Sequence, residues 1–119
     1  FFPKDNTPGC TLEGQNFRDH IETFNAHNTL IFGISRDSVR VHENFKEKQQ
    51  FPFDLLSDAD ETVCNLFGVM QLKKNYGREY MGIVRSTFLI DTEGKLINEW
   101  RNVKVKQHID EVLEVVKNL

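Results

Sequence analysis

The sequence predicts an α/β domain with a mixed sheet and helices on both faces. Three observations carry that expectation. Short β-rich apolar runs alternate with stretches of helical period. A Thr92-Glu93-Gly94 turn joins two extended runs near the C-terminus. The last dozen residues form an apolar stripe at helical spacing.

Taken in order, residues 8–27 read as a helix, because Phe17, Ile21 and Phe24 recur at i, i+4 and i+7. "TLIFGIS" (29–35) is a short apolar run that fits a buried strand. Asp37 or Ser38 can cap a polar helix over 39–50, anchored by Val41 and Phe45. "FPFDLLS" (51–57) is extended, its Phe51-Pro52-Phe53 either an entry to the core or part of a docking surface. Ser57 and Asp60 fit the cap of a short helix over 58–67 and Gly68 its stop, with Val63, Leu66 and Phe67 facing inward around Cys64. Residues 69–82 show no clean period and hold two glycines, so they read as a long surface loop. "VRSTFLID" (84–91) and "KLINEWR" (95–101) form a hairpin, with Gly94 supplying positive φ. A helix over about 106–118 presents Ile109, Val112, Leu113 and Val116 on one face.

A chain of 119 residues suits one domain over 1–119 and one core. Hydrophobic residues are 39% and charged residues 28%, the balance of an ordinary globular protein. A net charge of −3 argues against nucleic acid or an anionic membrane as a general partner. No apolar run reaches the roughly 20 residues of a membrane helix. The chain opens Phe1-Phe2-Pro3 without methionine, so upstream residues are expected. Two cysteines, Cys10 and Cys64, are too few for a disulfide framework, and the four histidines have no metal-site spacing, so no metal is expected.

Cys10 follows Thr7-Pro8-Gly9. Threonine caps helices well and proline suits the first helical position, so Cys10 falls in the first turn. There the unpaired N–H groups and the helix dipole favour an anion, and the thiolate is a cysteine's reactive form. Gly9 leaves room for close approach to the backbone. Position alone leaves two readings level, a reactive thiol and a small buried side chain.

"PKDNTPGCTLEG", "GISRDS", "LLSDAD", "FGV", "YGREYMGIVRSTFLID" and "EWRNVKV" follow one another along the whole chain. Together they resemble the peroxiredoxin family, in its bacterioferritin comigratory protein/peroxiredoxin Q branch. The resemblance implies a thioredoxin-like fold whose N-terminal strands this sequence does not include. It also implies a thiol peroxidase that reduces hydrogen peroxide and organic hydroperoxides without a cofactor. Cys10 then resembles the peroxidatic cysteine, and Thr7 the residue whose hydroxyl orients thiolate and peroxide. Pro3 resembles the proline packed over the sulfur, and Arg85 the distant arginine that stabilises negative charge. Gly9 and Cys10 would offer N–H groups, and Glu13 matches a supporting acid. A cytoplasmic location is the expectation that goes with this reading.

The chain departs from the branch at one step. Branch members carry a second, resolving cysteine at one of two positions, and here these are Gln15 and Lys46. Cys64 reads as a core cysteine, with an unusual intramolecular partner for Cys10 as the alternative. The expectation is therefore a one-cysteine mechanism, with the oxidised Cys10 reduced by thioredoxin, glutaredoxin or a small thiol. The alternative is a redox-sensing or chaperone-like module on the same fold, with weak turnover. No exposed apolar stripe is evident, which favours a monomer or weak homodimer.

Overall fold

The computed structural model describes all residues, 1–119. Helix α1 spans Pro8–Asp19 and α2 Ile21–Ala26, so the single helix expected over 8–27 is broken at His20. The cause is local. The His20 ring donates from Nδ1 to the Asn16 carbonyl at 2.8 Å, and its backbone N–H turns to Phe17 instead. Strand β1 (Phe32–Ser35) pairs in parallel with β2 (Asp54–Ser57), and α3 (Val39–Gln49) crosses between them. Ser38 caps α3 by accepting from the Val41 N–H. Val41 itself is exposed, and His42 joins Phe45 on the buried face instead.

Helix α4 is short, Thr62–Leu66. Its cap is Asp58, whose two carboxylate oxygens accept from the N–H groups of Val63 and Cys64 at 3.1 and 2.7 Å. Ser57, expected in that role, donates its hydroxyl to the Asp37 carbonyl. Gly68 ends the helix at φ +66°, and Arg101 donates to the Phe67 and Gly68 carbonyls. Leu66 faces outward, contrary to expectation, because a single turn can bury only the stripe around Cys64.

Residues 69–82 are not a surface loop. They hold β3 (Met70–Asn75) and most of β4 (Arg78–Ile83), paired antiparallel across a two-residue turn. Tyr76 and Gly77 both have positive φ, 52° and 77°, as a type I′ turn requires. Most side chains are exposed on both faces, so the alternation that marks a strand never forms. Strands β5 (Ser86–Ile90) and β6 (Leu96–Arg101) form the expected hairpin, with Asp91 Oδ1 accepting from the Glu93 and Lys95 N–H groups.

Helix α5 spans Val105–Lys117, but Lys106 and Gln107 leave helical geometry, so its regular part begins at His108. Ile109, Val112, Leu113 and Val116 pack with Phe24 and Leu89. A second cluster joins Phe2, Cys10, Phe45, Phe51 and Phe53, with the Phe51 and Phe53 rings stacked at 5.0 Å. Phe51 and Phe53 are thus core, while Pro52 between them is exposed. A third gathers Cys64, Val69 and Ile83.

Residues Phe1 and Phe2 join the parallel and antiparallel ladders. The Phe2 N–H donates to the Ile34 carbonyl on β1, and Phe1 exchanges two backbone bonds with Ser86 on β5. A cleft of about 750 Å³ opens beside this junction, lined mainly by apolar residues. Its walls include Leu30, Phe32, Leu56, Ile90 and Ile97, all exposed. The expectation of no exposed apolar stripe is therefore not met.

Candidate active site

The loop from Pro3 to Thr7 leads directly into α1, and Cys10 sits in the first turn of that helix, 3% exposed. Pro8 occupies the first helical position, as expected. Arg85, just before β5, comes from 75 positions further along the chain. Its Nη2 donates to Cys10 Sγ at 3.4 Å, and its Nη1 to Glu13 Oε1 at 2.7 Å. One guanidinium therefore holds the thiol and the acid together, a geometry that only the arginine fork permits. Burial works against the arginine's charge, but Glu13 and Cys10 outweigh it and hold its pKa up. Burial pushes the Glu13 carboxyl up, against the pull of Arg85.

Gly9 serves this approach. A Cβ there would lie 3.1 Å from Arg85 Nη2. The sequence suggests that Gly9 admits a substrate to the backbone, whereas the group it admits here is the guanidinium. Thr7 takes the cap position of α1, yet its side chain makes no cap bond. Its hydroxyl donates to the Lys4 carbonyl at 2.8 Å, so its one proton is directed away from the Cys10 sulfur. Pro3 is partly buried and lines a polar hollow of about 290 Å³ with Lys4, Arg36, Asp37, Ala59 and Glu61.

A buried thiol at a helix N-terminus under an arginine is the site. The family model described as the AhpC/TSA family matches residues 1–98. The chain belongs to that family. Among curated relatives it is similar to the peroxiredoxin Bcp of Bacillus subtilis, 54% identical over 119 residues, covering 100% of this chain and 76% of that protein. Among solved structures it is similar to the Xanthomonas campestris bacterioferritin comigratory protein, studied for its alkyl peroxide reduction activity. That match has TM-score 0.93 and 47% identity over 99% of this chain and 75% of the other. Peroxidoxin BcpB of Mycobacterium tuberculosis matches with TM-score 0.88 and 36% identity over 100% of this chain and 76% of that one. The protein is thus a peroxiredoxin of the Bcp/PrxQ branch, with that branch's thioredoxin-like α/β fold. No helix is long and apolar enough to cross a membrane.

In this peroxiredoxin the second thiol is placed apart. Cys64 is 0% exposed in its own cluster with Val69 and Ile83. Burial, and then the neighbouring Asp58, push its thiol up to about 12. The two positions where resolving cysteines occur carry other bonds. Gln15 donates to Gln49 Oε1 on α3 at 3.0 Å, and Lys46 pairs with Asp54 at 2.7 Å.

Sequence reasoning passed over one group at this site. Asp5, between Pro3 and Thr7, is buried against His42 of α3, Oδ2 to Nδ1 at 2.5 Å. Asp37 completes the cluster by accepting from the Asp5 N–H and the Ser35 hydroxyl. These three side chains could hold a metal by residue type. However, Asp5 and His42 already bond each other directly, which leaves no ligand–ion–ligand space between them. The signal for this group is slight: His42 falls one turn before Phe45 on α3, while Asp5 sits among polar neighbours, and neither names the other as partner.

Proposed function

We propose that Cys10 is the peroxidatic cysteine of a one-cysteine thiol peroxidase, and that an outside thiol completes the cycle. The observation that carries this reading is the Arg85 guanidinium donating to the Cys10 sulfur at the start of α1.

The chemistry follows from the groups present. The Cys10 thiolate attacks one peroxide oxygen in line with the O–O bond. An S–O bond forms and the O–O bond breaks. The leaving oxygen takes a proton and departs as water or alcohol, while the sulfur, oxidised by two electrons, becomes sulfenic acid. Arg85 faces the sulfur, where its charge can stabilise both the thiolate and the negative charge developing on the peroxide. Glu13 fixes the plane of that fork. A rotation of the Thr7 hydroxyl away from Lys4 would let it donate at the site once peroxide is bound. A thiol then attacks the sulfenic sulfur, releasing water and leaving a mixed disulfide. A second thiol releases Cys10 and carries away the disulfide. Thioredoxin, glutaredoxin or a small thiol each has the required chemistry.

The fully buried Cys64 and the bonds at Gln15 and Lys46 favour the one-cysteine cycle. A disulfide needs its two Cα atoms within about 7 Å, and the thiols here lie in separate clusters. The test is hydrogen peroxide turnover with thioredoxin as reductant. Cys64→Ala is expected to turn over at the wild-type rate, and Cys10→Ser not at all. Loss of turnover in Cys64→Ala, with Cys10 still oxidised by peroxide, would overturn the one-cysteine cycle.

A further inference from the structure

We propose that His42, acting through Asp5, is a positioning residue for the peroxide step, a clamp that holds the Pro3–Cys10 segment closed only while the pair shares a proton. The inference rests on the reading of Cys10 as the peroxidatic cysteine.

Hydrogen-bond accounting gives the proton. His42 Nε2 faces the Leu56 carbonyl at 3.1 Å, and a carbonyl only accepts, so Nε2 carries a hydrogen. His42 Nδ1 faces Asp5 Oδ2 at 2.5 Å, a contact that needs a second hydrogen, on one side or the other. Removing that second proton sets a lone pair against either Oδ2 or the Leu56 carbonyl, and one of the two bonds must open. Ser35 offers no substitute, because its hydroxyl donates to Asp37 Oδ2 at 2.5 Å and stands 3.4 Å from Nε2.

One other bond reaches Asp5, from its N–H to Asp37 Oδ2 at 2.9 Å, but it holds the backbone and not the carboxylate. Asp5 Oδ1 is buried without a partner, so no other donor holds the carboxylate in place. The groups facing the ring are Asp5 from the loop, Asp37 and Ser35 from the end of β1, the Leu56 carbonyl from β2, and the Phe2 ring. The charged members are both carboxylates, and they favour a protonated ring. Burial works against charge on His42, but the Asp5 hydrogen bond and charge outweigh it and raise its pKa above the ordinary 6.5. The sign follows. A folded pKa raised above the unfolded one gives stability present below about 6.5 and lost as pH rises through the folded value.

Asp5 lies five residues before Cys10 and two before Thr7, so the clamp ties the catalytic turn to α3 and β2. Opening it on the alkaline side is expected to slow Cys10 oxidation by up to about tenfold per pH unit above the midpoint. Asp5→Asn removes the dependence. A carboxamide N–H can donate to Nδ1 while Nε2–H keeps the Leu56 carbonyl, so neutral histidine satisfies both neighbours.

The experiment measures the rate of Cys10 oxidation by hydrogen peroxide from about pH 5 to about pH 9.5, in wild type and Asp5→Asn. Proton NMR follows the His42 ring in the wild type. The expected result is an alkaline fall in the wild type at the His42 midpoint, with that midpoint above 6.5, and no such fall in Asp5→Asn. A fall that persists in folded Asp5→Asn, no fall in the wild type, or a midpoint at or below 6.5 overturns the clamp. Should Asp5→Asn not fold, the wild type decides, since a rate midpoint more than about one pH unit from the His42 midpoint is overturning and coincidence is supporting. Should peroxide leave Cys10 unoxidised at every pH, the proposed function fails on its own. The clamp is then judged by whether the Asp5 and Thr7 amide signals shift with His42, as expected, or stay still, which overturns it.

Discussion

Glu13 and Arg85 stand 72 positions apart and meet at 2.7 Å, with both side chains largely buried. The acid holds the base that holds the thiol. Removing the acid leaves a charge in the interior without its partner, a loss of about 3 kcal/mol or more in other buried pairs. Glu13→Gln is therefore expected to melt at lower temperature and to oxidise Cys10 more slowly. Arg85→Lys keeps a charge but loses the fork, and peroxide oxidation of Cys10 should fall by about 100- to 1000-fold, in line with removal of one charge-stabilising donor. Stopped-flow peroxide consumption and thermal melts check both. Equal rates in Arg85→Lys and wild type would remove the fork from the mechanism.

Gly14 lies under the Phe51 ring, and a Cβ there would come within 2.3 Å of Phe51 Cζ. Gly14→Ala gains helix propensity of about 1 kcal/mol but forces the ring out of its stack with Phe53. Overpacking of this kind costs about 1–3 kcal/mol, so a lower melting temperature is expected. The double change with Phe51→Leu should recover part of it.

His108 is buried beside Thr87, with Nε2 and Oγ1 at 2.8 Å, and burial pushes its pKa down to about 4. In the unfolded chain the ring takes a proton near 6.5, whereas in the fold it does so only near 4. Between those values the unfolded state binds the extra proton, so stability falls as pH is lowered. Denaturant melts at steps from about pH 7 to about pH 4 should show that fall. His108→Gln should flatten it, and an unchanged slope would assign the acid sensitivity elsewhere.

The elements with strong periodicity were legible in the sequence. α5 and the β5–β6 hairpin carry their apolar spacing and their Gly94 turn openly, and the ordered run of segments along the whole chain carried the resemblance to the family. The β3–β4 hairpin was hidden because most of its side chains are exposed on both faces and burial is confined to its inner end, so no alternation marks the strands. The break at His20 depends on one side chain competing for a backbone carbonyl, which no periodicity records. At the site, Cys10, Glu13 and Arg85 come together as expected. The Thr7 hydroxyl, at the cap position of the same helix, donates to the Lys4 carbonyl, a local bond that spacing does not reveal. The Asp5–His42 pair joins two segments that each look unremarkable, and only folding brings them together.

Tyr76 and Gly77 form the far tip of the β3–β4 ribbon. Tyr76 is 98% exposed, and a Cβ on Gly77 would touch nothing within 4 Å. The same ribbon ends at Ile83, buried and two residues from Arg85. The ribbon is thus a handle whose inner end leads, through Val84, to the arginine. A fluorophore or spin label fixed at position 76 would ride outside the chemistry while joined through β4 to the segment that leads into Arg85. Any swing of the arginine between the reduced and oxidised protein could then be followed from the solvent side, without altering a residue that touches the sulfur.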